Sequence, residues 1–257
     1  MNYAIVSKLD MKSHEVSQKI RNRLNSEGWV EDDKLAKLII CVGGDGTLLF
    51  GVHQFLEQIN ELSFIGIHTG TLGFFTDYTE EELDIFLNDI LHKEPMIYES
   101  GLLKIQLDNQ KEPYYALNEI RIESVIKTQN IDVYINDEFF ETCRASGICL
   151  STQAGSTAFN RGLGGAVIDS GLSVMQLAEI TAIQHSKHHS LGSPYILKDD
   201  NIVNFESDTL DTAMLSYDHL YTPLKDTKRI ICSMSDKKVK FARYREYSYL
   251  KRLKNLY

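Results

Sequence analysis

The stretch "CVGGDGTLLF" (Cys41–Phe50) combines three glycines and one aspartate where a strand-like run meets a helix-like one. The residues before it, Leu35–Ile40, are mostly apolar, as in a buried strand, and those after it show helical spacing. Gly43, Gly44 and Gly46 have no Cβ, so the backbone can adopt positive φ and approach a ligand closely. A glycine loop between a buried strand and a helix is typical of an α/β sheet that binds an anion at the helix N-terminus.

The residues on either side of this stretch continue the alternation of strands and helices. Thr79 and Glu82 have the spacing of a capping box at the start of the last of these helices. The alternation predicts a doubly wound parallel sheet of Rossmann or flavodoxin type. Besides the strand that precedes the glycine loop, the predicted elements are the strands Tyr3–Ser7 and Ser63–His68 and the helices Ser13–Gly28, Thr47–Ile59 and Thr79–His92.

After Pro95 the pattern changes to short β-rich segments separated by turn residues, which predicts a mostly antiparallel, sandwich-like domain. One segment in this region, Leu172–Ile183, has apolar residues at helical spacing and is predicted as a helix. We therefore expect an α/β domain over residues 1–100 and a β-rich domain over residues 101–240. Residues 241–257 are expected to pack back on the N-terminal domain.

The composition excludes several classes of protein. A formal charge of −9 disfavours nucleic acid as a partner, because polyanion binding requires a positive field. The apolar runs are too short to cross a bilayer, and the N-terminus has no signal-peptide pattern, so no membrane association is expected. The cysteines form no C-x-x-C pair, which indicates reduced thiols and a cytoplasmic location. They are Cys41, Cys143, Cys149 and Cys232.

Asp45 raises the chemical question, because a carboxylate among anion-binding amides would repel a phosphate unless it has another task. Three roles are open at this point. Asp45 caps the following helix, or accepts a proton from an attacking hydroxyl, or binds a divalent cation that bridges phosphates. Positioning matters more than basicity in phosphoryl transfer, so an ordinary aspartate is a sufficient base. The chain contains no Walker A loop, no G-x-G-x-x-G and no protein-kinase motif set.

Four separated stretches of the chain carry recognisable motifs: "GGDGT" (Gly43–Thr47), "FIGIHTGTLGFFTD" (Phe64–Asp77), "ALNEIRI" (Ala116–Ile122) and "RASGICLSTQAGSTAFNRGLGGAVI" (Arg144–Ile168). Together they resemble the NAD kinase family, in particular its shorter Gram-positive bacterial members, and they occur in the family's order along most of the chain. The first stretch is shared more distantly with diacylglycerol and sphingosine kinases.

The resemblance implies an ATP-dependent kinase that phosphorylates the 2′-hydroxyl of the adenosine ribose of NAD, with magnesium or manganese accompanying the ATP. It implies Asp45 as the catalytic residue and the loop around it as the phosphate site. An amide can bind the N6 and N7 edge of adenine, and a neighbouring carboxylate can accept hydrogen bonds from ribose hydroxyls. The implied binding residues are Gly43, Gly44, Gly46, Thr47, Asn118, Glu119, Ser146, Ser156, Thr157, Ala158, Phe159 and His219.

The chain departs from the family pattern at three positions. Ser146 replaces an aspartate that the family places at the nicotinamide end of the dinucleotide or in a neighbouring subunit's pocket. Gln153 replaces a proline that would fix a turn. Phe159 replaces a tyrosine, which removes a hydroxyl but keeps the stacking face.

Histidines in two places invite a functional interpretation. His219, in "SYDHL" (Ser216–Leu220), either donates to the transferred phosphate or is a partly exposed strand histidine. His185, His188 and His189 suggest a metal site, but their spacing matches no known ligand pattern. Their segment corresponds to a variable inter-subunit stretch of the family, so no protein metal site is expected there.

The family also implies homo-oligomers, commonly tetramers, in which loops of one subunit complete the NAD site of another. Two other functions are weighed against the NAD kinase. One is a lipid or sphingoid-base kinase that uses the same GGDGT loop. The other is a non-catalytic NAD-binding regulatory protein, which the replacement at Ser146 suggests.

Overall fold

The computed structural model describes residues 1–70, 73–184 and 189–256, which form two compact units. Unit 1 comprises Met1–Ser100 together with residues 237–256, and unit 2 comprises Gly101–Asp236. The change predicted after Pro95, from alternating strands and helices to β-rich segments, lies close to the point at Ser100 and Gly101 where the chain leaves unit 1.

Unit 1 contains five short strands: β1 (Asn2–Ser7), β2 (Val30–Glu31), β3 (Leu38–Gly43), β4 (Ser63–His68) and β5 (Tyr78–Thr79). Four of them form a parallel sheet with the strand order β2–β1–β3–β4. The fifth, β5, pairs in parallel with the end of β4. All six residues of β3 are buried, which explains its nearly continuous apolar sequence.

Three helices accompany this sheet: α1 (Met11–Ser26), α2 (Asp45–Gln54) and α3 (Leu83–His92). On α1, residues Val16, Ile20 and Leu24 are buried at helical spacing, as predicted. Helix α2 ends at Gln54, five residues before the predicted end, and a 3-10 helix, Leu56–Glu61, follows it. The capping box before α3 is confirmed, since the Glu82 carboxylate accepts the Thr79 N–H at 3.0 Å.

The strands that build unit 2 are β6 (Met96–Leu107), β7 (Tyr114–Ala116), β8 (Glu119–Glu123), β9 (Gln129–Ile135), β10 (Glu138–Ala145), β11 (Gly147–Thr152), β12 (Val174–Ile180), β13 (Tyr195–Lys198), β14 (Val203–Glu206), β15 (Met214–Tyr217), β16 (Leu220–Pro223) and β17 (Arg229–Arg243). They form two antiparallel layers, one ordered β10–β9–β14–β17 with β6 and β7 attached, the other β13–β12–β11–β8–β15–β16. Buried residues from both layers form one hydrophobic core, which makes the unit a sandwich. A short helix, α4 (Phe159–Gly162), follows β11.

The helix predicted over Leu172–Ile183 is wrong, because this segment contains the strand β12. β12 pairs with β11 on one side and β13 on the other, and it is buried along most of its length. A strand that is covered on both faces loses its alternation of polar and apolar residues, so its sequence is easily mistaken for a helix.

The C-terminal residues belong to unit 1. The end of β17 pairs in parallel with β4 through Lys240 and Phe241. A short helix, α5 (Tyr249–Leu253), follows, capped by the Ser248 side chain. The predicted fold class, an α/β domain followed by a β-rich one, is confirmed. Within the described ranges, no helix is long and apolar enough to span a membrane.

Candidate active site

The glycine loop connects the end of β3 to the first turn of α2. Gly43 has φ +154, and a Cβ on it would lie 2.9 Å from Thr47 Cβ, so this position requires glycine. Gly44 is the N-cap residue of α2, and no side chain of the described residues caps this helix end. Gly46 is exposed, and no described atom outside its chain neighbours and its own helix backbone lies within 4 Å of where a Cβ would be. The start of α2 is therefore open to an anion.

Asp45 is the first residue of α2 and not its cap, so the capping role considered from the sequence is wrong. Its carboxylate instead accepts two backbone hydrogen bonds, from Phe74 N–H at 2.8 Å and from Phe75 N–H at 3.0 Å. Gly73 lies directly against it, since a Cβ there would be 2.5 Å from Asp45 Cγ. The loop that begins at Gly73 thus fixes the orientation of a half-buried carboxylate.

His68 lies beside the same loop at the end of β4. Its Nδ1 accepts the Gly70 N–H at 2.7 Å, and burial lowers the pKa of the imidazole while the nearby Asp45 carboxylate acts in the opposite direction. The proton of the neutral ring is therefore on Nε2. Nε2 is the atom closest to a Cβ built on Gly44, at 3.1 Å. His68 thus directs a neutral N–H donor towards the glycine loop.

In unit 2, Asn118 lies between β7 and β8 and is fixed from two sides. The Asp218 carboxylate accepts the N–H groups of Leu117 and Asn118 at 2.8 and 2.7 Å. The Asn118 carbonyl accepts the Thr152 N–H at 2.8 Å, and a Cβ on Gly155 would lie 2.8 Å from Asn118 Cα. The backbone around Asn118 is therefore held rigidly while its side-chain oxygen remains without a partner among the described residues.

Glu119, the next residue after Asn118, has a carboxyl group with a raised pKa. Burial, reinforced by the Asp218 carboxylate, raises the pKa of Glu119 to about 7, although Arg121 and the Phe159 N–H favour the ionised form. Within the described ranges, Glu119 Oε2 is buried and has no hydrogen-bond partner. A buried polar atom without a partner is rare in folded proteins. Asn118 and Glu119 thus present two such oxygens on consecutive residues, as a binding site for polar ligand groups would.

The predicted residues Ser156 to Phe159 follow β11 and lie beside this pair. Thr157 and Ala158 are half-buried, whereas Ser156 is fully buried and its hydroxyl accepts the Ile168 N–H at 3.1 Å. Phe159 is 36% exposed, and the guanidinium of Arg121 lies 4.1 Å from its ring centroid. One face of this ring is therefore covered by a cation of the same chain.

Ser146 and His219 lie in different parts of unit 2. Ser146 precedes β11, where Gly147 pairs with Glu123, whereas Glu119 pairs with Ser151. Ser146 is five residues from Ser151, the partner of Glu119, and thus lies about 17 Å along the strands from Glu119; it does not join Asn118 and Glu119 within one chain. His219 is exposed in the turn between β15 and β16, next to Asp218, so it is a turn histidine and not a strand one. His185 and His188 lie outside the described residues.

Three residues that contact the predicted site were quoted in the sequence motifs without a role: His68, Gly73 and Asp218. The first two belong to "FIGIHTGTLGFFTD" and the third to "SYDHL". Asp218 has φ 52, a conformation that favours Gly, Asn and Asp. An aspartate in a predicted tight turn is therefore the feature of the sequence that could have drawn attention to it. No sequence pattern showed that its carboxylate accepts hydrogen bonds from Leu117 and Asn118.

Comparison with known proteins identifies the family. Residues 3–95 match the family described as ATP-NAD kinase N-terminal domain, and residues 117–244 match the ATP-NAD kinase C-terminal domain. The chain is 36% identical to an NAD kinase of Staphylococcus epidermidis over 98% of its own length and 96% of the relative. It belongs to the NAD kinase family. An NAD kinase of Staphylococcus aureus is 35% identical over the same shares of the two chains.

Solved structures of NAD kinase relatives share the fold. The crystal structure of yeast NADH kinase complexed with NADH matches with a TM-score of 0.86 at 18% identity, covering 100% of this chain and 87% of that one. An Archaeoglobus fulgidus NAD kinase in complex with ATP matches with a TM-score of 0.78 at 21% identity, covering 100% and 97%.

Proposed function

We propose that the protein transfers the terminal phosphoryl group of ATP to the 2′-hydroxyl of the adenosine ribose of NAD, giving NADP. The observation that carries this proposal is the Asp45 carboxylate. It stands in the first turn of α2, oriented by two backbone N–H groups, in a chain that belongs to the NAD kinase family.

The adenosine half of NAD binds to the pair Asn118 and Glu119. The Asn118 side chain contacts the adenine edge, and the Glu119 carboxylate accepts hydrogen bonds from ribose hydroxyls. Asn118 Oδ1 and Glu119 Oε2, which have no hydrogen-bond partner in the described part of the chain, support this assignment, since a ligand would satisfy them. Thr157, Ala158 and Phe159 line the pocket beside them.

The phosphoryl transfer depends on position and charge. The ribose 2′-oxygen attacks the terminal phosphorus of ATP, its proton passes to Asp45, and the bond to the departing ADP oxygen breaks. Gly43, Gly44, Gly46 and Thr47 shape the site in which amides at the start of α2 receive phosphate oxygens. The Nε2–H of His68 adds a donor beside them, and His219 donates to the transferred group.

The family implies a divalent cation with ATP, and the described residues contain no cluster of three or more His, Cys, Asp or Glu side chains that would form a protein cage. Magnesium and manganese are compatible with this donor set, because magnesium commonly binds one or two carboxylates, water and substrate phosphates. Triphosphate oxygens and water would supply most ligands of the ion, so Asp45 stays available as the proton acceptor. When bound, the ion neutralises the charge of the triphosphate.

We further propose a homo-oligomer, commonly a tetramer in this family, in which a neighbouring subunit completes each NAD site. The separation of Ser146 from Glu119 along the strands supports the oligomer. Since Ser146 is too far from Glu119 to contact the same bound NAD within one chain, a role for it in NAD binding requires the site of another subunit. A cytoplasmic location is supported by the four free cysteines, all of which are buried.

Replacing Asp45 with Asn tests the function. We expect the kcat for NADP formation to fall about 10²–10⁴-fold, the usual contribution of a positioned base, with little change in the KM for NAD. Asp84→Asn is the matched control, because Asp84 is exposed in the first turn of α3 and should leave kcat unchanged. A loss below about tenfold in Asp45→Asn would remove the role assigned to this residue.

A further inference from the structure

Two peptide groups connect Asp45 to the C-terminal segment of unit 1. The N–H of the Gly73–Phe74 peptide donates to Asp45 Oδ2, and the N–H of the Phe74–Phe75 peptide donates to Asp45 Oδ1. Each of these peptide groups also has a carbonyl on its opposite side. Both carbonyls accept a hydrogen bond from a side chain near the C-terminus.

Arg252 binds the first of these carbonyls. Its guanidinium donates to the Gly73 oxygen at 2.7 Å and to the Asp77 carboxylate at 3.3 Å. Arg252 is 5% exposed, so neither hydrogen bond is weakened by solvent. Arg243 donates to the same Asp77 carboxylate oxygen. Asp77 therefore binds both guanidinium groups and fixes the position of Arg252.

Tyr247 binds the second carbonyl, since its hydroxyl donates to the Phe74 oxygen at 3.1 Å. Its ring in turn carries the guanidinium of Arg243 at 4.1 Å from the centroid. The Phe74 ring contacts Tyr249 with centroids 5.7 Å apart. The side chains of this segment therefore enclose the two peptide groups on the side opposite Asp45.

A peptide group is planar, so a hydrogen bond that fixes its oxygen also fixes the direction of its N–H. Polarisation of the carbonyl by a charged donor strengthens the N–H as a donor. We propose that Arg252 and Tyr247 are positioning residues for phosphoryl transfer, because each fixes a peptide group whose N–H orients the Asp45 carboxylate. This inference rests on the proposed role of Asp45 as the proton acceptor.

The inference predicts a specific kinetic effect. Loss of the Arg252 guanidinium frees the Gly73–Phe74 peptide and with it the carboxylate, whose misplacement by about 1 Å can cost about 10²-fold in rate. We expect Arg252→Ala to lower kcat about 10–100-fold with the KM for NAD unchanged. Arg252→Lys keeps the charge but reaches one acceptor, so it should retain more activity. Tyr247→Phe removes one hydroxyl and should lower kcat by a smaller factor.

A double-mutant cycle with Asp45→Asn is the decisive experiment. If Arg252 acts through Asp45, Arg252→Ala lowers kcat in the wild-type background but leaves the residual rate of Asp45→Asn nearly unchanged. Lys251→Ala, an exposed neighbour on α5, is the control and should change neither rate. Thermal unfolding checks that each variant is folded. If Arg252→Ala does not fold, the same cycle is measured with Arg252→Lys and, separately, with Tyr247→Phe, each combined with Asp45→Asn.

Several outcomes would overturn the inference, and they separate it from the proposed function. Equal losses from Arg252→Ala in both backgrounds would show that Arg252 acts independently of Asp45. An effect confined to the KM for NAD, or no effect, would also exclude the positioning role. If Asp45→Asn alone loses less than about tenfold in kcat, the role of Asp45 fails and the positioning role fails with it.

Discussion

At the scale of single residues, Gly73 shows how closely the backbone approaches the proposed base. A Cβ at this position would lie 2.5 Å from Asp45 Cγ, so an alanine must push the carboxylate aside. We expect Gly73→Ala to lower kcat at least about tenfold by misplacing Asp45, while the melting temperature changes little because only the half-buried Asp45 side chain has to move. Steady-state kinetics and thermal unfolding measure both. Unchanged turnover would show that the position of Asp45 is not critical.

Glu119 makes a prediction about stability and pH. Burial and, as a second cause, the Asp218 carboxylate raise the pKa of the Glu119 carboxyl group to about 7 in the folded state, from 4.5 in the unfolded chain. Because the folded state binds this proton more tightly, the stability that the bound proton contributes is lost as pH rises from about 4.5 to 7. Glu119→Gln should therefore gain stability relative to wild type by about 2–3 kcal/mol between pH 5 and pH 8.

Urea unfolding at the two pH values measures this difference. Glu138→Gln is the control, because Glu138 is exposed at the start of β10 and its replacement should show no such pH dependence. A difference between Glu119→Gln and wild type that is the same at pH 5 and pH 8 would contradict the raised pKa. The expected pH dependence would mean that ionised Glu119 lowers the stability of the folded state, a cost that its binding of ribose hydroxyls explains.

At the scale of elements, the 3-10 helix Ala154–Thr157 depends on one close approach. A Cβ on Gly155 would lie 2.8 Å from Asn118 Cα, so any larger residue separates this helix from the β7–β8 connection. We expect Gly155→Ala to destabilise the protein by about 1–3 kcal/mol through overpacking and to raise the KM for NAD by displacing Asn118. Chemical denaturation and kinetics test the two effects.

Gly162→Ala is the control for stability, because Gly162 is exposed in α4 and, among the described residues, no atom beyond its chain neighbours and its own helix backbone lies within 4 Å of its Cβ position. The free energy of unfolding should change little in this variant. If Gly155→Ala is as stable as Gly162→Ala and keeps its KM for NAD, the packing of the 3-10 helix does not support the Asn118 site.

The elements also show why sequence interpretation succeeds in one region and fails in another. The strands and helices of unit 1 follow from strong periodicity and from clear end signals such as Thr79 and Glu82. β12 was predicted as a helix because its burial against β11 and β13 removes the alternation that identifies a strand. No glycine or proline in the sequence marks the early end of α2 at Gln54, where Phe55 is the C-cap residue.

At the scale of the whole molecule, the motifs predicted the family and the fold class, both of which are confirmed. The contacts that orient Asp45 could not be predicted, because they join residues 29 and 30 positions apart to it and involve only backbone N–H groups. Arg252 lies still further along the chain and belongs to no recognised motif. Long-range partners of this kind leave no local pattern in a single sequence.

Incubating the purified protein with NAD and with ATP labelled on its terminal phosphate, and then locating the label in the product, tests the proposed reaction without an assumption about any other residue. We predict label on the 2′-oxygen of the adenosine ribose, and a rate about 10²–10⁴-fold lower with Asp45→Asn. A protein that binds NAD but forms no NADP would contradict the proposed reaction, as would label transfer to a lipid alcohol instead of NAD.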